Sequence, residues 1–189
     1  MKYLVLALLL ITIYPYAYSQ HRRTAAKRTV KPKAAATFPQ TFVGHWKGML
    51  EWYPAGGKEP RKVVMHLRVY PRRDSTGHYT WNLIYGDGIK DNHPYLLKPV
   101  DTTQGHWVID EVNGIVVDQY WTGGKFCSAY TVQQVTIANN YWIEKGDLVA
   151  EFISYNTKPI AKTGQGTEDI PYVYSYEIRS YQKAVLKKQ

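Results

Sequence analysis

The sequence predicts an all-β protein behind a short leader, and three observations carry that expectation. From Phe42 onward apolar and polar residues alternate with a period of two, as in strands buried on one face. Turn residues interrupt the alternation at roughly the 8 to 12-residue spacing of antiparallel sandwiches and barrels. No long stretch places apolar residues at i, i+3, i+4 and i+7, so helix content is expected to be small. Apolar residues make up 44% of the 189 and aromatics 14%, which supplies a core and excludes disorder of the whole chain.

The chain opens on what reads as a secretory signal over residues 1–19. Lys2 gives a basic start, Tyr3 to Tyr14 form an apolar run, and Pro15 breaks it before Ala17-Tyr18-Ser19. Cleavage after Ser19 would make Gln20 the new terminus. The run is short of the roughly 20 residues that span a bilayer, which disfavours an uncleaved anchor, and no cysteine follows it to take a lipid at that point. The expected address is therefore secreted or periplasmic. Residues 20–40 carry Arg22, Arg23, Lys27, Arg28, Lys31 and Lys33, no acid and few large apolar groups, and read as a basic flexible linker. Setting these and Lys2 aside leaves 17 basic against 15 acidic residues in 41–189, so the net charge of +9 belongs to the leader. The linker is read chiefly as a solvated spacer, with weak contact to an anionic surface as the partner its charge suits. No zinc-finger, basic-zipper or RNA-binding motif accompanies it, so no specific nucleic-acid partner is expected. Cys127 is the single cysteine; it can close no intrachain disulfide and reads as a small buried residue, so the fold rests on its core.

The strands follow in order. In FVGHWKGMLEWY, Phe42, Gly44, Trp46, Gly48, Leu50 and Trp52 share one face, with His45, Lys47 and Glu51 on the other. Past the turn-rich PAGGKEP, Val63, Met65, Leu67 and Val69 oppose His66 and Arg68. A turn over Pro71 to Gly77 leads to Tyr79, Trp81, Leu83 and Tyr85, opposed by His78, Thr80 and Asn82. Further strands cover Tyr95 to Val100, His106 to Val112 and Ile115 to Trp121. Asn113-Gly114 joins the last two and reads as a type I′ turn, because both residues tolerate positive φ. Then come Phe126 to Ile137, read as one piece, Tyr141 to Glu144 crossing Lys145-Gly146-Asp147 into Leu148 to Tyr155, and Tyr172 to Tyr181. Pro159 to Pro171 reads as the long loop, and Tyr181 to Lys188 as a short terminal turn. The sum is nine or ten strands in one domain over residues 41–186.

Gly44-His45-Trp46, followed by Gly48, resembles the opening of the first strand in the calycins, the lipocalin-like and fatty-acid-binding-like barrels. The resemblance implies an antiparallel up-and-down β-barrel of about 8–10 strands, lipocalin-like, with structural roles for Gly44 and Trp46. In that family the tryptophan closes the barrel floor and a basic residue near the last strand lies over its ring. Arg179 in YSYEIRSYQK is the match for that residue, with Lys183 as the fallback. The Gly-x-Trp-x-Gly spacing is also similar to haem-binding barrels of the nitrobindin type. Those hold iron through a late histidine, whereas here none follows His106, which leaves His66, His78 or His93 for that reading.

Catalytic signatures are absent: no Gly-x-Ser-x-Gly elbow, phosphate-cradling loop, HExxH or Rossmann fingerprint occurs. Asp87, Asp91 and His93, joined by Asp110 and Glu111, form the nearest thing to an acid–base cluster, and read as turn and hairpin-shoulder residues. No catalytic residue, metal ligand or cofactor is assigned. The unusual supply is aromatic, with six Trp, seventeen Tyr and four Phe. Such side chains suit a cavity that grips an apolar body and orients it with a few hydrogen bonds. The expected function is an exported lipocalin-like barrel that binds a small, largely apolar molecule, lined by Trp81, Tyr85, Trp107, Trp121 and Tyr174. Two alternatives stand beside it: an extracellular carbohydrate-recognition or assembly module using exposed aromatics, and a haem-dependent barrel enzyme.

Overall fold

A computed structural model of the chain describes residues 37–86 and 92–189. The leader of residues 1–19, residues 20–36 of the linker, and Asp87 and Asp91 lie outside the described residues. Ten strands form one closed antiparallel barrel: β1 (Gly44–Pro54), β2 (Arg61–Val69), β3 (Tyr79–Tyr85), β4 (Asn92–Asp101), β5 (His106–Asp110), β6 (Val116–Thr122), β7 (Lys125–Val132), β8 (Val135–Glu144), β9 (Asp147–Thr163) and β10 (Val173–Lys188). Each strand pairs with its sequence neighbours, and β1 pairs with β10 from Trp46↔Lys188 to Pro54↔Ser180, so the sheet has no free edge along that seam.

The alternation read in the sequence is the wall of this barrel. Trp46 and Leu50, Met65 and Leu67, Trp81 and Leu83, and Leu148 and Ala150 all point inward and are buried. Closure depends on two glycines. A side chain at Gly48 would meet the backbone carbonyl of Val185 at 2.2 Å, so only glycine lets β1 approach β10 this closely. Gly44 has φ of 141°, and a Cβ there would meet Lys188 Cε at 2.7 Å.

That second contact corrects the expected match for the floor tryptophan. Lys188, not Arg179 or Lys183, lies over Trp46, its Nζ 5.2 Å from the ring centroid. The reason is length: β10 runs on to Lys188 where a terminal turn was expected, and Lys188 shares the inward parity of Ala184 and Leu186. Arg179 sits nine residues back at the opposite rim, roughly 30 Å away at about 3.3 Å per residue, and donates to Asn156 Oδ1 at 3.3 Å.

Three other expectations are corrected. Phe126 to Ile137 is a hairpin, β7 and β8, turning at Gln133-Gln134 with φ of 54° at Gln133. Asn113-Gly114 belongs to a longer loop between Asp110 and Val116, in which Val112 and Gly114 take the positive φ values. The tight turns with two positive φ values are Gly123-Gly124 and Lys145-Gly146. Finally, Pro159 to Thr163 continue β9 as strand, which leaves 164–172 as the loop.

One end of the barrel is packed solid. A 3-10 turn, Gln40–Phe42, tucks under it and brings Phe38 and Phe42 inside, so the folded unit takes in residues before 41 and, through Lys188, after 186. Phe38 stacks on Trp121 (centroids 4.8 Å apart) and Phe126 (4.5 Å) and meets Trp107 edge-on at 5.2 Å. Trp46 Nε1 donates to the Phe42 carbonyl at 2.7 Å, which satisfies the indole where it is buried. Replacing Trp46 by Ala is expected to destabilise the protein by about 3–5 kcal/mol, whereas Lys188→Met, which keeps the stem and removes the charge, is expected to lose about 1 kcal/mol or less. Urea denaturation followed by tryptophan fluorescence measures both; equal losses would show that the ring does not anchor the floor.

Candidate functional site

The other end of the barrel is hollow. A cavity of about 360 Å³ lies inside the wall, within the roughly 300–1,000 Å³ range of small-molecule sites. Parity decides what lines it. On each strand the inward positions nearest this end face the cavity: Tyr85 on β3, His93 and Tyr95 on β4, Gln119 on β6, Tyr130 on β7, Asn139 and Tyr141 on β8. Trp81, Leu83, Ile109, Ile137 and Phe152 form its apolar wall, and Ser154 and Gln182 complete the β9–β10 side.

The rings make two connected arcs. His93 stands 6.2 Å from Tyr85 and 5.5 Å from Tyr95, centroid to centroid, and Tyr95 Oη lies 3.2 Å from His93 Nδ1. Across the cavity Tyr141 meets Trp81 edge-on at 5.2 Å and Phe152 edge-on at 5.7 Å. Trp81 divides the two halves of the barrel, touching Phe126 of the floor at 5.4 Å.

Polar groups converge among these rings. Gln119 is only 1% exposed, and its Oε1 has no hydrogen-bond partner. A buried, unpaired amide oxygen costs free energy that a bound donor would return. Asn139, also buried, accepts through Oδ1 from Ser128 Oγ. Ser154 and Ser180 share a hydroxyl contact of 2.7 Å. Glu111 lines the cavity from the β5–β6 loop, its Oε2 accepting from Asn113 Nδ2 at 3.3 Å.

Burial raises the phenols of Tyr85 and Tyr141 well above their ordinary value. Those of Tyr95 and Tyr130 are raised by burial and then by the nearby Glu111 charge. All four stay neutral donors and acceptors across the physiological range.

The expected lining residues divide. Trp81 and Tyr85 line the cavity. Trp107 and Trp121 instead pack around Phe38 in the floor, because their inward positions lie toward the closed ends of β5 and β6. Tyr174 lies outside the barrel altogether, on a two-stranded arm made where residues 158–163 of β9 and 173–178 of β10 run past their other partners. There Lys162 Nζ lies 3.5 Å from the Tyr172 ring centroid and 5.7 Å from that of Tyr174, and Tyr155 and Tyr176 approach to 5.6 Å.

Of the polar candidates, His93 and Glu111 reach the cavity, while Asp110 points out and pairs with Lys98 at 2.5 Å. Cys127 is half-buried in β7, its thiol raised by burial. Among the described residues no group of three or more His, Cys, Asp or Glu could hold a metal ion. His66, of the histidines weighed for haem, stands on the outer wall with its Nδ1 2.9 Å from His45 Nε2.

Fold and cavity together define a class: closed ten-stranded antiparallel barrels with a filled floor and a hollow mouth. No protein-family model matches the chain, and no curated protein matches it. Among solved structures it is similar to a protein of unknown function from the DUF3598 family of Nostoc punctiforme, with a TM-score of 0.56 at 14% identity over 79% of this chain and 48% of that one. The chain thus spans about half the length of that neighbour. The likeness is one of fold.

The raised phenols have a consequence at high pH. A folded-state pKa above the unfolded one contributes stability below the unfolded value, near 10 for tyrosine, and that stability is lost as pH rises toward the folded value. An alkaline titration by phenolate absorbance is therefore expected to show a late class of tyrosines that ionises together with unfolding. Tyr85→Phe is expected to shift that unfolding to higher pH; an unchanged midpoint would remove Tyr85 from the class.

Proposed function

We propose that the protein is an exported, calycin-like barrel that binds a small ring-bearing molecule in the cavity between Trp81 and the tyrosines. The observation that carries this reading is the unpartnered Oε1 of buried Gln119 inside an aromatic cavity of about 360 Å³. A core evolved only for packing fills such a space with apolar side chains and pairs its amides. Here apolar walls supply affinity at roughly 25 cal/mol per Å² buried, and the amide and phenols orient the guest. The export part of the proposal is supported by the basic start and apolar run of residues 1–19.

The neutral dye N-phenyl-1-naphthylamine tests the cavity. One saturable site is expected, with dye emission enhanced and tryptophan emission altered through Trp81. Ile137→Trp, which places an indole in the cavity, is expected to abolish binding while the circular dichroism spectrum stays that of the wild type. Binding that survives the filling would place the dye elsewhere and remove the reading.

The arm favours a second reading, that of a carbohydrate-recognition or assembly surface. Tyr172, Tyr174 and Tyr176 are each between 42% and 49% exposed, with Lys162 against two of their rings. Exposed tyrosines offer an apolar ring face and a hydrogen-bonding hydroxyl together, the combination a sugar ring can use. In gels loaded with soluble β-glucan or chitin oligomers, the protein is expected to be retarded and the Tyr174→Ala, Tyr176→Ala double variant to migrate freely. Equal mobility of the two would remove the arm from carbohydrate recognition.

A further inference from the structure

We propose that the cavity is selective for small organic ammonium ions, amines that carry an aromatic or compact apolar body. This rests on the reading of the cavity as a ligand site and adds the sign of the charge its ligand bears.

The first argument is the distribution of formal charge. Residues 41–189 hold 17 basic against 15 acidic side chains, yet among the described residues no Lys or Arg lines the cavity, and a single carboxylate, Glu111, does. Arg61 and Lys62 face a side groove that shares Tyr85 and Gln182 with the cavity. Both are engaged there: the Arg61 guanidinium lies 5.0 Å from the Trp52 ring centroid, and Lys62 Nζ lies 2.9 Å from Glu51.

The second argument is where Glu111 points. It continues the inward parity of Trp107 and Ile109 past the end of β5, so the β5–β6 loop brings its half-buried carboxylate to the rim of the cavity. It shares the lining with Tyr95 and Tyr130, whose phenols are raised by burial and then by its charge. A carboxylate in partly excluded water interacts more strongly with a cation than one on the surface.

The third argument is the rings themselves. Tyr85, Tyr95, Tyr130 and Tyr141 all line the space, and an ammonium within about 6 Å of a ring face is attracted to the negative part of the aromatic quadrupole. The Gln119 carbonyl oxygen, unpartnered and deeper than Glu111, accepts an N–H from the same group or from a second polar substituent. Its amide can rotate to offer N–H instead, so Gln119 fixes orientation, and Glu111 with the rings fixes the sign. An anion would meet repulsion from Glu111 and, among the described lining residues, no Lys or Arg, with His93 the one imidazole there.

Three matched probes separate the possibilities: 2-phenylethylammonium, 2-phenylethanol and phenylacetate, titrated calorimetrically into the full-length chain at neutral pH. The cation is expected to bind at least about tenfold tighter than the alcohol, and phenylacetate weakest. In Glu111→Gln, which is isosteric and keeps a partner for Asn113, the cation-to-alcohol ratio is expected to fall at least severalfold, the rings holding what preference is left. The proposal is overturned if the alcohol or phenylacetate matches the cation in the wild type, or if Glu111→Gln leaves the ratio as it was. Should N-phenyl-1-naphthylamine occupy the cavity while none of the three displaces it, the amine selectivity falls and the cavity reading stands. Should the dye fail to bind as well, both fall.

Discussion

Everything in the molecule depends on the seam between the first and last strands. β1 and β10 meet over Trp46↔Lys188 to Pro54↔Ser180, and only that pairing turns a ten-stranded sheet into a tube with an inside. Because side chains alternate with a period of two, the seam also sets parity: a slip of one residue would turn Leu50, Ala184 and Leu186 out to solvent. The chain secures this register with shape more than with charge. Gly48 admits the Val185 carbonyl, Gly44 admits the Lys188 stem, and Lys188 closes over the Trp46 ring.

The same wall carries two different interiors, and the difference explains how stability and function are divided. Toward the floor, indoles and a phenyl ring from β3, β5, β6 and β7 pack on Phe38 and Phe42, and Trp46 of β1 donates to the Phe42 carbonyl. Each fully buried ring there contributes on the order of 2–3 kcal/mol, enough for a chain without disulfides to hold one native state. Toward the mouth, the inward positions change to tyrosine, glutamine, asparagine, serine and glutamate, and the packing gives way to space. The solid half supports the hollow half, which spends packing on a shaped, polar-studded site.

Much of the architecture was legible because alternation is a local signal. Trp46, Met65 and Trp81 could each be assigned an inward face from their neighbours alone, and strand number followed from turn spacing. What was missed depended on turns without glycine. Gln133-Gln134 reverses the chain with no residue that announces a turn, so β7 and β8 merged in the reading, and Tyr130 and Tyr141 could not be seen to line one space. The cavity lining is harder to read from sequence for a related reason. Parity says whether a residue faces in, but not whether it faces the floor or the mouth; that needs the up-and-down order of the strands. Applied to Trp107 and Trp121, it would have sent both to the closed end. Tyr174 was misplaced because the arm extends β9 and β10 beyond any partner that could make an inside.

Closure can be read directly by cross-linking across the seam. Met49 and Val185 are register partners on the outer face, 45% and 44% exposed, so cysteines there can be joined without disturbing the core. In a Cys127→Ser background, Met49→Cys with Val185→Cys is expected to form an intramolecular disulfide rapidly under mild oxidation, since opposed residues lie within the roughly 4.4–6.8 Å that a disulfide spans between Cα atoms. Met49→Cys with Lys183→Cys, diagonal at roughly 7–8 Å, is expected to lag far behind. An absent or purely intermolecular cross-link in the first pair, or equal rates in the two, would contradict a closed barrel in this register.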